Sequence, residues 1–292
     1  MRVARAAVLL LVALAAGGCS RVVDPGFPTG PERLVVEGRI ERREGSFTRQ
    51  TIQLTTTAPL RDTVPPPVTD AVVSVTGPDG VAVAFRQAGT PGIYEADVQA
   101  VLGGIYRLDI TWRGDRYRAV DTLRAVPPID ALNLVFSPGG ALSGDPGLRA
   151  AIDYTDPAGI PNWYQWQLLV DGRLTVRPDP GNQFRLISED RFYDGGIIRF
   201  YQPFDEIVLQ PNTRITVRQL SIGGEAYRYL FALLEQDGSG SPFSTPPAVI
   251  RGNVGNLTDP SRPALGFFFA SDVSERGLLV PLAAEGALTL RR

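Results

Sequence analysis

Hydrophobic and polar residues alternate with a period of two through much of this chain. Tyr106, Leu108, Ile110 and Trp112 fall on one side, with Arg107, Asp109 and Thr111 between them. That is the pattern of a strand with one buried and one wet face. Residues 34–40, 51–57, 71–76, 81–85, 92–98 and 117–123 read as comparable segments. Pro78-Asp79-Gly80 and Arg113-Gly114-Asp115 stand between neighbouring segments and carry hairpin chemistry. Short strands at this spacing predict an immunoglobulin-like β-sandwich over residues 33–127.

Pro127-Pro128 interrupts the pattern and marks a domain boundary. Beyond it the strands are less regular. Residues 163–170 place Tyr164, Trp166, Leu168 and Val170 on one face and Trp163, Gln165 and Gln167 on the other. Asp171-Gly172 turns the chain into 173–176, and 197–201, 207–209, 214–220 and 265–269 read as further strands. In residues 225–236 the period changes. Tyr227, Leu230, Phe231 and Leu234 recur at i, i+3, i+4 and i+7, so this segment is a helix that covers a sheet with one apolar stripe. The prediction is a mainly β chain, with a second sandwich or barrel-like domain and one helix over 128–292.

The N-terminus changes the picture from fold to compartment. Arg2 and Arg5 precede an apolar run from Ala6 to Ala16, then Gly17-Gly18-Cys19. A cationic start, a short greasy core and small residues before a cut site describe a secretory signal over residues 1–18. The run is shorter than the ~20 residues a membrane span needs. Cys19 is the only cysteine, so no internal disulfide forms. A lone thiol beside small residues reads as a lipidation site, and the Pro/Gly-rich residues 19–32 as its tether. Cleavage there leaves 27 basic against 31 acidic residues, too little positive charge for nucleic acid.

The chain contains no histidine. Imidazole general bases, Ser-His-Asp hydrolysis and histidine-ligated zinc are therefore excluded. What remains is carboxylate and aromatic chemistry. Asp153, Asp156, Asp190 and Asp194 are read as lying in Gly/Pro-bearing loops. Such loops can hold calcium, which takes ~6–8 oxygen ligands, or the aspartates can build turns by bonding backbone N–H groups. Paired acids ~5–9 Å apart would also serve sugar hydrolysis. Trp163, Tyr164, Trp166, Phe192 and Tyr193 are candidates for a ligand-stacking platform, against core packing as the plainer role.

Several landmarks occur in a telling order. They are Leu34-Val35-Val36-Glu37-Gly38, Ala71-Val72-Val73-Ser74-Val75, Gly104-Ile105-Tyr106-Arg107-Leu108 and Val126-Pro127-Pro128-Ile129-Asp130 in the first half. Asp156-Pro157-Ala158-Gly159, Asp190-Arg191-Phe192-Tyr193-Asp194-Gly195, Arg251-Gly252-Asn253-Val254 and Ala264-Leu265-Gly266-Phe267-Phe268 follow in the second. In this order the chain resembles a family of bacterial outer-membrane lipoproteins known as domain of unknown function 4249. The resemblance implies lipid anchoring at the Gram-negative outer membrane and association with TonB-dependent import barrels. It implies no reaction and no catalytic residues. The expected function is a non-catalytic accessory or ligand-capture subunit of such a barrel, without cofactor. The alternatives are a free-standing glycan- or peptide-binding lipoprotein and, third, a hydrolase using paired aspartates.

Overall fold

The structure is a computed structural model that describes residues 30–43, 48–59, 64–140, 145–175, 186–237 and 249–282. The signal segment, Cys19 and most of the tether lie outside the described residues, as does the end of the strand read over 173–176. Among the described residues, no helix is long and apolar enough to cross a membrane.

The chain is mainly β, as its alternation predicts. Its strands are β1 (Leu34–Arg43), β2 (Thr48–Thr56), β3 (Val72–Thr76), β4 (Ala82–Gln87), β5 (Ile93–Val98), β6 (Ile105–Trp112), β7 (Asp115–Thr122), β8 (Ile129–Ser137), β9 (Gly147–Thr155), β10 (Trp163–Val170), β11 (Arg173–Leu174), β12 (Ile187–Glu189), β13 (Ile197–Tyr201), β14 (Arg214–Ser221), β15 (Gly255–Asn256) and β16 (Leu265–Leu279). Among the described residues, one helix, α1 (Gly224–Asp237), stands between β14 and β15.

Thirteen strands form one continuous sheet in the order β11-β10-β14-β16-β1-β2-β5-β4-β3-β6-β7-β15, with β12 also pairing β10, along the edge that β14 leaves free. β4 pairs with β3 on one side and β5 on the other, so the sheet folds over at that strand. Val36, Ile52 and Tyr94 of one layer then share a core with Val73, Leu108 and Ala119 of the other. Two-residue loops make two of the hairpins that the sequence predicts, and residues 77–81 make the third. Arg113 and Gly114 both take positive φ between the paired Trp112 and Asp115, as do Asp171 and Gly172 between Val170 and Arg173. Positive φ at both positions gives the twist that matches the flanking strands.

The smaller sheet, β13-β9-β8, lies over β10 and β14. Ile152 and Tyr154 of β9 meet Tyr164, Trp166 and Leu168 of β10 and Ile215 and Val217 of β14 in a second core. β16 serves both cores and is far longer than the 265–269 segment legible in the sequence. Its first part runs parallel to β1, from Leu265 opposite Val35 to Val273 opposite Arg43, and its last part runs antiparallel to β14. The segment through Pro127-Pro128 is fastened to these strands. Val126 N–H donates to Asp272 Oδ2 (3.1 Å), Ile129 N–H to Ser274 Oγ (2.9 Å), and Gln219 Nε2 to Pro127 O (3.0 Å).

Two local readings are corrected. Residues 207–209 form no strand, and Leu209 makes a single bridge to Leu148. The helix buries Ala226 and packs Tyr227, Tyr229 and Leu230 on Ile222 and Phe267, while Phe231 is 36% exposed, so the inward face is rotated from the predicted stripe. Proximity to the sheet edge decides this: α1 touches β12, β10 and β16, and only one side of the helix reaches them.

Candidate functional site

Three of the four candidate aspartates come together. Asp156 opens the loop between β9 and β10, and Asp190 and Asp194 lie in the turns between β12 and β13. One carboxylate oxygen from each falls within 4.8 Å of the others. Asp153 is the exception and corrects the sequence reading. It lies inside β9, paired opposite Ala131, and its Oδ1 accepts the Phe200 N–H (2.8 Å). The strand was illegible because Arg149 and Asp153 break its apolar run, although Arg149 is itself buried.

Each carboxylate of the triad holds the backbone of the opposite loop. Asp156 Oδ2 accepts the Gly195 N–H (3.0 Å), Asp190 Oδ2 the Asn162 N–H (2.7 Å), and Asp194 Oδ1 the Gly159 N–H (2.7 Å). Backbone pairs reinforce them, from Asp156 N–H to Gly196 O (2.9 Å) and from Asp190 N–H to Asn162 O (3.1 Å). The Tyr164 hydroxyl donates from the core to Asp156 Oδ1. The arrangement is a reciprocal clasp between two loops, with aspartate supplying acceptors to turn N–H groups.

Burial pushes the Asp156 carboxyl above its ordinary value, and the charges of Asp190 and Asp194 push the same way. The hydrogen bonds from Tyr164 and Gly195 work against this without cancelling it. Burial also raises the Tyr164 phenol, followed by its bond to Asp156, so it stays a donor. The donor set is hard oxygen, the kind calcium takes. Yet both oxygens of Asp156 and one each of Asp190 and Asp194 already accept hydrogen bonds. Asp156 and Asp190 are 2% and 5% exposed, which leaves a substrate no approach to them.

The aromatic candidates separate. Tyr164 and Trp166 are fully buried and pack with Tyr154 at ring distances of 5.6 and 6.1 Å. Trp166 Nε1 donates to Gln219 Oε1 (2.9 Å), satisfying the indole within the core. Trp163 faces the other way, against Ile222 and the start of α1. Tyr193 packs on the second core, with its hydroxyl 2.8 Å from Ser188 Oγ. Only Phe192 is presented to solvent, at 85% exposure, with the Arg191 guanidinium 4.7 Å over its ring.

A polar stripe on the outer face of the large sheet escaped the sequence reading. Arg218 of β14 donates to Gln167 Oε1 (2.9 Å) and to Glu41 of β1. Arg39 of β1 donates to Ser271 Oγ and Gln165 Oε1, each at 2.6 Å. Burial tends to raise the Glu41 carboxyl, but Arg218, then Arg39 and Arg43, outweigh it and hold it below the usual range. A lone arginine in an alternating strand looks solvent-facing, and only the pairing of β14, β16 and β1 shows that these groups meet.

A family model described as Domain of unknown function (DUF4249) matches residues 21–277, nearly the whole chain. No curated protein matches it.

Proposed function

This chain belongs to the DUF4249 family, and on that premise we propose that it is a non-catalytic lipoprotein of the Gram-negative outer membrane. In this reading an acylated Cys19 and the tether of residues 19–32 hold an immunoglobulin-like sandwich and a second β-rich unit at the bilayer. The body docks on a TonB-dependent barrel and helps capture or gate its ligand.

The observation that carries the docking role is apolar exposure on stiffened loops. Ile160 and Phe192, 61% and 85% exposed, sit on the two loops that the aspartate clasp ties together. Large apolar groups that face water from adjoining loops mark contact surfaces where single ones do not, and aromatic residues are common anchors in interfaces. Ordering a loop before binding removes ~0.5–1.5 kcal/mol of cost per immobilised side chain. Catalysis fits the same loops poorly, because Asp156 and Asp190 are buried and all three carboxylates are bonded to backbone. A free-standing glycan or peptide module rests on the same Phe192 ring, and ligand-induced thermal stabilisation without a partner distinguishes it.

The test is recovery of the full-length chain from membranes in mild detergent. A barrel-type outer-membrane protein should co-purify with the wild type and be lost with Phe192→Asp, whose circular dichroism stays native. Recovery without any barrel, or equal recovery with Phe192→Asp, contradicts the proposal.

A further inference from the structure

The polar stripe runs into a cleft under α1. Phe267, Phe269, Arg39 and Gln165 line it from the sheet, and Tyr229 and Leu233 from the helix. Its volume is about 340 Å³, at the small end of the ~300–1,000 Å³ range of ligand pockets. Its aromatic wall is continuous. Tyr229 lies 5.0 Å from Phe267, Phe267 lies 4.6 Å from Phe269, and the Arg39 guanidinium carbon lies 4.2 Å over the Phe269 ring.

Arg39 is unusual in what it lacks. Its two hydrogen bonds go to neutral acceptors, Ser271 Oγ and Gln165 Oε1, and no carboxylate pairs with it among the described residues. A guanidinium carries five N–H donors, so these two bonds leave donors over. Burial lowers its pKa to about 10, with Glu41 opposing that shift and Arg218 adding to it. Glu41 and Asp121 act on this half-buried cation only at a distance, so an anion that contacts its spare donors directly adds charge-assisted hydrogen bonds that neither supplies.

We propose that this cleft binds a small amphipathic monocarboxylate, with its carboxylate on Arg39 and its apolar body along Phe269, Phe267 and Leu233. A planar fork on one guanidinium suits a carboxylate. The carboxylate of Glu37, which also lines the cleft, disfavours a ligand of higher negative charge. The site is independent of the docking loops and stands or falls separately from them. Two sources share this chemistry, an alkyl-chain acid and an apolar peptide C-terminus.

Calorimetric titration of the mature chain, from residue 19 with Cys19→Ser so that it carries neither the apolar signal run nor an acyl chain, separates these sources. The probes are decanoate against decanol, and N-acetylphenylalanine against its amide. At least one carboxylate should bind saturably at one site, with its uncharged partner at least about tenfold weaker, the effect of losing one charge-assisted hydrogen bond. Which acid binds identifies the source. Arg39→Gln should weaken binding at least about tenfold. Leu233→Glu, a substitution at a helix surface position that preserves folding, should weaken it likewise. The proposal is overturned if neither acid binds, if acid and uncharged partner bind alike, or if Leu233→Glu and a folded Arg39→Gln leave affinity unchanged.

Discussion

Gly266→Ala is expected to be among the most damaging single substitutions in this chain, costing about 4 kcal/mol or more in urea denaturation. Gly266 sits where β16 begins to pair with β1, at φ +85°, opposite Val36. A Cβ there would lie 2.0 Å from the Val36 carbonyl oxygen and 2.8 Å from its carbon. Both are backbone atoms, so relief requires one strand to move away from the other. The left-handed conformation alone costs ~1–2 kcal/mol for a residue with a Cβ; the collision adds to it. β16 belongs to both cores, and a domain's whole stability is only ~5–15 kcal/mol. Gly80→Ala is the matched control. Its φ is +77°, but nothing lies within 4 Å of the added carbon, so it should show the conformational cost alone. Equal losses for the two variants would mean that the β1–β16 contact is not what constrains Gly266.

Asp156→Ala should be the next most costly, at about 2–5 kcal/mol, because it strips the acceptor from two groups at once. The Tyr164 hydroxyl inside the core and the Gly195 N–H both depend on this carboxylate. Leaving the Tyr164 donor unsatisfied in the core costs ~1–3 kcal/mol, and losing the bond at the exposed Gly195 adds about 1 kcal/mol. Removing one charge from a crowded triad offsets part of that. Asp156→Asn keeps one acceptor, loses the charge and should fall between wild type and alanine.

The pH dependence has a definite sign. Burial raises the Asp156 carboxyl in the folded protein above its ordinary 3.8, so its ionised form carries a penalty only when folded. The penalty is complete above the folded pKa and is relieved as pH falls through it toward 3.8. Wild type should therefore gain stability relative to Asp156→Asn on mild acidification. The same melts address calcium. If the triad acts as a clasp, curves in excess calcium and in chelator superimpose; stabilisation by calcium that Asp156→Asn abolishes would reassign it as a cation site.

Much of this architecture could be read from local pattern. Alternation in residues 105–112 and 163–170 identifies β6 and β10, and correctly separates Trp163 from Tyr164 and Trp166. The Arg113-Gly114 and Asp171-Gly172 loops set hairpin register, and the change of period finds α1. Period two reports which face a residue takes, not which strand lies beside it. Nothing local announces the parallel pairing of β1 with β16, because parallel strands need no short connection between them. The Arg39 cleft depends on that pairing and was invisible for the same reason. Asp156, Asp190 and Asp194 were legible as turn-builders, and Asp153, inside β9, was not what it looked. That Asp190 and Asp194 reach back to Asp156 follows from β12 pairing with β10, which carries the 190–196 turns beside the 156–162 loop.

In the proposed function a lipid-held β body works through contact at its clasped loops. A photo-crosslinking residue placed at Phe192 in living cells tests it directly, with Val72, 71% exposed on β3, as the control position. An adduct with an outer-membrane barrel is expected from position 192, none from position 72, and the adduct should be lost when Cys19→Ser removes the anchor. An adduct of equal yield from both positions, no adduct at position 192, or an adduct that persists without the anchor contradicts it.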